Sequence, residues 1–303
     1  MDMNQDKKVE LVQEIQNYIK ENIGEENFSL DYMCKHLGYS MRHINRLFSE
    51  LLEMTPVEYV RKVTLTMSVE KLLKTENNII DIALDTNYES HEGYTRAFKK
   101  QFNVRPEEYR KSPIAIPLFK QHPVSSYHTY LNHKERLEMD KNTMICMVTP
   151  IEKPKRKLIV LRAITAQDYW SFCEEKGCDW EGTLNSIPEK LDLAAIIELP
   201  KSMIKEGTAS IVAGVEVPLD YDAKIPEEYE IIEVSAGTML CFKSESFNKD
   251  EDFGVAISCV FRAFDKYKPN EFGYEYDFEN FPRFNYGATP NMGAKLAFPV
   301  RKV

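Results

Sequence analysis

The chain lacks the features that would place it in several large classes. Its first residues, "MDMNQDKKVE", hold no apolar h-region, so they are not read as a signal peptide. No window approaches the ~18 consecutive apolar residues that span a bilayer. The expectation is a cytoplasmic chain with no membrane partner. The six cysteines, Cys34, Cys146, Cys173, Cys178, Cys241 and Cys259, contain no C-x-x-C and no paired metal spacing. They read as reduced thiols, and no metal or other cofactor is expected. G-x-S-x-G, H-E-x-x-H, the P-loop and G-x-G-x-x-G are all missing, which argues against an enzyme. The six histidines make no metal pattern.

Positive charge is also short. Net charge is −9 over 303 residues. Residues 1–112 carry 16 Lys+Arg against 19 Asp+Glu, and the remainder 23 against 29. Neither part has the basic surplus common in nucleic-acid binders. Any such role must rest on where cations are placed.

What the chain does have is a phrase stated twice. Residues 46–59 read "RLFSELLEMTPVEY" and residues 96–109 read "RAFKKQFNVRPEEY". At this offset Ser40 pairs with Ser90, Arg46 with Arg96, Phe48 with Phe98, Pro56 with Pro106 and Tyr59 with Tyr109. Apolar spacing makes residues 1–112 helical throughout. Ser29, Ser40, Thr55 and Ser90 stand where N-caps belong, and Thr55-Pro56 with Glu58 forms a capping box. Each repeat reads as short helix, turn, capped helix, then a Pro-initiated helix, the helix-turn-helix pattern.

In such units the second helix enters the major groove. The polar face of the first unit carries Arg42, His43, Asn45, Arg46 and Ser49, and that of the second His91, Glu92, Thr95, Arg96 and Lys99. Arg reads guanine, Asn adenine, and Glu accepts from cytosine. The helix between the units, about 19 residues, spans ~28 Å. That suits heads in successive major-groove segments ~34 Å apart.

"GYSMRHINRLFSELLEMTPVEYVRKVTL" and "IIDIALDTNYESHEGYTRAFKKQFNVRPEEYRK" resemble the AraC/XylS family of transcription regulators over about 105 residues. The resemblance implies a seven-helix DNA-binding domain with base-reading positions at Arg42, Asn45, Arg46, His91, Glu92, Thr95 and Arg96. Lys62, Lys99, Lys100 and Arg110 are the local cations for the DNA backbone.

Pro113, Pro117 and Pro123 open a linker at 113–140, whose second half is expected to carry order. Beyond it the period changes to short β-branched runs, "KLIVLRA", "AAIIEL", "ASIVAGVEV", "YEIIEV", "TMLCFKS" and "AKLAFPV", with two helices between them. The expected architecture is thus multidomain: an all-α DNA-binding domain at 1–112, the linker, and an α+β domain at 141–303.

"FCEEKGCDWEG", "AGVEVPLDYDAKIPEEYEIIEVSAGTMLCF" and "PRFNYGA" resemble the GyrI-like domain of small-molecule sensors, placed after the DNA-binding domain as in Rob-type regulators. That resemblance implies two βαββ halves around a groove for a flat aromatic or amphiphilic effector, the multidrug-sensing arrangement. Trp180, Phe284 and Tyr286 match groove motifs, and Tyr229, Trp170, Tyr274 and Tyr276 are further aromatic candidates. Multidrug-sensing relatives carry a Glu in the "PRFNYGA" strand, where this chain has Asn285. Glu216 is then the candidate acidic group, or the ligand is neutral or polar. The Rob-type resemblance also implies an activator that works with RNA polymerase, as monomer or dimer. A protein-interaction role for the second domain, or a GyrI-like hydrolase, are the alternatives.

Overall fold

The computed structural model describes residues 4–25, 28–125, 144–248 and 252–303. They form two compact units.

Among its described residues the first unit holds seven helices: α1 (Gln5–Asn22), α2 (Leu30–Leu37), α3 (Met41–Leu52), α4 (Pro56–Lys74), α5 (Ile79–Leu84), α6 (His91–Phe102) and α7 (Pro106–Lys111). Their starts follow from short polar side chains that satisfy otherwise unpaired N–H groups. Ser29 accepts from Tyr32 N–H, Ser40 from His43 N–H and Ser90 from Gly93 N–H. Thr55 and Glu58 cap each other's backbone at the head of α4. Helices α3 and α6 begin and end 50 positions apart, as do the starts of α4 and α7.

Two clusters build the core of this unit. Val12, Ile15 and Ile19 of α1 pack with Met33, Ile44, Leu47, Phe48 and Tyr59. In the second repeat Tyr94, Phe98, Phe102 and Tyr109 are buried, with Phe98 and Phe102 edge to face at 4.7 Å. The Tyr94 hydroxyl donates to Ser68 of α4 at 3.0 Å, fixing α6 on the long helix. Fully burying one such aromatic contributes roughly 1.5–3 kcal/mol.

The stretch expected as linker is partly built into this unit. Phe119 packs edge-on against Tyr59 at 5.2 Å. Val124 N–H donates to the buried Gln16 side chain at 3.0 Å. Ile114–Ile116 belong to the second unit, where Ile116 N–H donates to Ser186 at 2.8 Å. The expected order in the linker's second half concerns 126–140, which lies outside the described residues.

The described residues of the second unit form one sheet with helices packed on one face. Its described strands are β1 (Cys146–Lys153), β2 (Arg156–Arg162), β3 (Ala195–Glu198), β4 (Ile211–Val217), β5 (Glu230–Val234), β6 (Gly237–Ser244), β7 (Tyr274–Tyr276), β8 (Arg283–Thr289) and β9 (Gly293–Lys302). Its helices are α8 (Tyr169–Lys176), α9 (Asp179–Asn185) and α10 (Phe253–Lys266). The order is β1-β6-β9-β8-β3-β4-β2-β5, with β7 added at β9. It reads alike outward from the central β3–β8 pair: β3-β4-β2 on one side, β8-β9-β6 on the other. In sequence β2 is followed by α8, α9, β3 and β4, and β6 by α10, the short β7, β8 and β9.

Strand alternation sorts side chains onto two faces. Ile159, Leu161, Ile196, Ala213 and Val215 pack with Phe172 of α8 and Trp180 of α9. Leu240, Phe242, Leu296 and Phe298 pack with α10. On the other face Leu158, Val160, Ile197, Val212, Phe284, Tyr286 and Ala297 form a separate cluster. Three segments departed from the sequence expectation. β1 and β7 were not foreseen, because "CMVTPIEK" is half-exposed and "YEY" is three residues long. The helix α9 is a third one, separated from α8 only by Gly177 and Cys178.

Candidate functional site

The two repeats present their polar faces in the same way. Arg42 and Arg46 on α3, and Glu92 and Arg96 on α6, are exposed, while Ile44 and Tyr94 beneath them are fully buried. Lys99 is exposed as well, and Asn45 and Thr95 are half-buried at matching positions. A helix that buries one stripe must turn the rest outward, and the caps at Ser40 and Ser90 fix where that stripe begins. The N-terminal turns of α3 and α6 therefore carry the residues expected to read bases.

Several of these side chains have neighbours that the sequence did not reveal. The His91 ring nitrogen Nε2 lies 2.9 Å from the Glu107 carboxylate of α7, so the ring is held against the scaffold. His43 stacks on Tyr39 with centroids 5.4 Å apart, and its other ring edge faces Arg46 at 3.5 Å. The Thr95 hydroxyl is buried, with no hydrogen-bond partner among the described residues.

One cation needs a correction. Arg110, expected to face the DNA backbone, donates to the Leu72 carbonyl at 3.1 Å and to the Asn77 carbonyl at 2.8 Å. Those carbonyls belong to the open end of α4 and the residues after it, which lack helical partners. Arg110 ties α7 to that end, whereas Lys99 and Lys100 remain exposed.

In the second unit the expected ligand residues divide between the faces of the sheet. Trp180 is buried between α8 and the sheet, and Tyr229 packs against the same cluster. Burial pushes the Tyr229 hydroxyl up to about 12. Asn285 pairs in register with Ile196 of that face, and its side chain accepts from Gly287 N–H at 2.9 Å. Phe284 and Tyr286, its sequence neighbours, point to the opposite face and stack at 5.8 Å. A residue and its immediate neighbours in a strand cannot share a face. Asn285 therefore faces away from the two aromatics that flank it in sequence.

Glu216 joins Phe284 and Tyr286, but not as a free carboxylate or a solvated strand end. It is 1% exposed and paired with Arg156, itself 2% exposed. Lys153 approaches it at 2.7 Å and the Tyr286 hydroxyl at 3.3 Å. Asp192 lies 3.6 Å from Lys153 and 2.5 Å from Lys295, and the Lys295 ammonium stands 4.3 Å above the Tyr286 ring. Burial, together with the nearby Glu216 and Asp192 charges, raises the Tyr286 hydroxyl well above its usual range. Burying an ion pair is favourable only when its remaining hydrogen bonds are met, and this network meets them.

Arg156, Lys153, Asp192 and Lys295 were not singled out from the sequence. For Lys153 and Arg156 the sequence holds one hint, "EKPKRKLIVL", a run of cations leading directly into a buried strand, but it does not name their partners.

Paired helix-turn-helix units joined by one long helix define the first unit as a reader of double-stranded DNA. Residues 33–112 match a helix-turn-helix domain family. The regulatory protein SoxS of Escherichia coli strain K12 is 32% identical over 100 residues, which is 33% of this chain and 92% of SoxS. The right origin-binding protein of the same strain is 38% identical over 89 residues, 29% of this chain and 31% of that protein. A solved AraC-type transcriptional regulator from Chromobacterium violaceum shares 26% identity, covers 36% of this chain and 99% of its own, and superposes with a TM-score of 0.32. The chain belongs to the AraC/XylS family of DNA-binding transcription regulators. None of the described helices is long and apolar enough to cross a membrane.

Proposed function

We propose that the chain is a cytoplasmic, sequence-specific activator that reads DNA with α3 and α6, works with RNA polymerase, and carries an effector-binding second unit. The observation that carries the DNA reading is the matched exposure of Arg46 and Arg96 over equally buried Phe48 and Phe98. Arg42, His43 and Asn45 in one head, and His91, Glu92, Thr95 and Lys99 in the other, supply the differences in base preference. Selection of bound sequences from a random pool tests this. Enrichment that survives both Arg46→Ala and Arg96→Ala overturns it.

The boundaries that go with this reading are 1–112 for the DNA-binding domain and 141–303 for the effector domain. The mirrored strand order about β3 and β8 supports a duplicated βαββ architecture of the GyrI-like kind.

For the effector, the charged cluster around Phe284 and Tyr286 favours one ligand chemistry. Lys153, Arg156 and Lys295 outnumber Glu216 and Asp192, and both carboxylates are already paired. A cationic ligand would have to break one of those pairs. A neutral or anionic aromatic molecule requires no such break, and the surplus of cations favours it. The same pairing disfavours the hydrolase alternative, because Arg156 and Lys153 already occupy the two Glu216 oxygens. A thermal-shift screen of the full chain against cationic dyes and aromatic carboxylates separates the choices. Stabilisation by dyes alone sinks this assignment, and no stabilisation by either class favours a protein partner for this unit.

A further inference from the structure

Tyr59 and Tyr109 hold matching places in the two repeats, and each packs on a phenylalanine of its own reading helix. Phe48 and Tyr59 meet edge to face at 5.5 Å, and Phe98 and Tyr109 lie 6.1 Å apart. All four rings are buried. Their hydroxyls differ. That of Tyr109 is buried with no hydrogen-bond partner among the described residues, whereas that of Tyr59 accepts from the Gln16 side-chain nitrogen at 3.2 Å.

Gln16 stands on α1 and is 4% exposed. The same nitrogen also donates to the His122 carbonyl at 3.0 Å, and the Gln16 side-chain oxygen accepts from Val124 N–H at 3.0 Å. A backbone carbonyl and a backbone N–H can both be met in only one orientation of the amide, so these bonds fix it. Further contacts seat the same stretch of chain. Phe119 N–H donates to the Thr66 hydroxyl of α4 at 2.9 Å, and the Phe119 ring lies edge-on to Tyr59. Ser125 donates to Gln13 of α1 from its N–H at 3.1 Å and from its hydroxyl at 2.9 Å. The Lys62 ammonium stands 5.4 Å from the centre of the Phe119 ring, within cation–π range. All of these partners lie on α1 or α4, whose apolar side chains share one cluster with Ile44, Leu47 and Phe48 of α3.

We propose that residues 117–125, seated on Gln16, are a positioning strap for the first reading head alone. The strap acts through Gln16 and Tyr59 on Phe48, and so on the angle at which α3 presents Arg42 and Arg46. Base readout needs its side chains held to about 0.5 Å, and supporting hydrogen bonds supply that precision. The second head has the same Phe–Tyr pair without the polar backing, so it reads without a strap. Releasing residues 117–125 therefore weakens one half of the DNA site and leaves the other unchanged. This inference rests on α3 and α6 being the reading helices.

The test measures binding of the full chain to its selected DNA site, and to the same site with either segment scrambled. Arg46→Ala and Arg96→Ala first assign each segment to its head. Phe119→Ala removes a half-buried ring of the strap and spares the core. It should weaken binding to the intact site by about 10-fold, the loss of roughly one good base contact. That loss should persist when the second-head segment is scrambled and vanish when the first-head segment is. Gln16→Leu should do the same, and Phe119→Tyr should bind as the unsubstituted chain does. Amide exchange of the unsubstituted chain should show Phe119 and Val124 N–H protected, and free exchange at both would overturn the strap whatever the variants do. Heads correctly assigned but weakened alike by Phe119→Ala, or both unchanged, would overturn the strap alone. Binding indifferent to Arg46→Ala and Arg96→Ala would overturn the reading helices, and the strap with them.

Discussion

Glu53 and Asn103, fifty positions apart, end α3 and α6 in the same left-handed conformation, with φ of 53° and 58°. The repeat thus extends to the backbone of the turn that feeds each Pro-initiated helix. It also creates an inequality. Asn tolerates this conformation, while an ordinary side chain such as Glu is strained there by roughly 1–2 kcal/mol. Glu53→Gly should therefore stabilise the protein by about 0.5–1 kcal/mol in denaturant unfolding. Asn103→Val should destabilise it by more than that. A loss of stability on Glu53→Gly would mean that the Glu53 side chain supports the turn.

Arg110 and Lys99 should behave as opposites. Arg110→Ala removes the donor to the Leu72 and Asn77 carbonyls and should lower stability by about 1–3 kcal/mol. Lys99→Ala should leave stability within about 0.5 kcal/mol. On DNA it should weaken binding to all sequences alike and reduce the salt slope by about 1. Salt titrations of both variants decide between a structural and a DNA-facing Arg110.

The Arg156–Glu216 pair makes a stability prediction of unusual form. Arg156→Met alone should cost about 3–5 kcal/mol, because a buried carboxylate loses its main partner. Arg156→Met combined with Glu216→Leu should recover most of that loss, although Lys153 and Tyr286 also lose a partner. A double variant as unstable as the sum of the single ones would show that the two residues act independently.

His122 predicts a pH dependence. Burial first, and then the nearby Lys120, hold its ring at about 4, below the ordinary 6.5. The folded chain keeps the ring neutral while the unfolded chain takes up a proton below about 6.5. Stability is therefore intact above that pH and falls as pH drops toward 4. Between pH 7 and pH 5 the loss should be about 2 kcal/mol. His122→Gln should flatten that part of the profile. An unchanged slope in the variant would assign the acid sensitivity to other groups.

How much of this was legible in the sequence differs between the units. Helical period, Ser and Thr caps and the Pro at each helix start are local signals, so α1–α7 could be placed within a few residues. Exposure of Arg46 and Arg96 followed from the same period. The His91–Glu107 contact did not, because it depends on how α7 packs against α6. In the second unit the β-branched runs marked β2 to β6 and β9. In β8 alternation alone separates Asn285 from Phe284 and Tyr286. The partners of Glu216 come from β1, β2 and β8, with β9 and the segment before β3 adding Lys295 and Asp192. No local pattern foretells such a meeting. The αL backbone at Glu53 was equally hidden, since nothing about a glutamate announces it.

The central claim is that one helical unit reads two adjacent segments of DNA with two differently equipped heads. Selection of bound sequences by the full chain, repeated with Arg46→Ala and with Arg96→Ala, tests it most directly. The account predicts an enriched site of two short segments about 10 base pairs apart. Each substitution should cost about 1–3 kcal/mol and blur a different segment. A single enriched segment, or two variants that blur the same one, would contradict it.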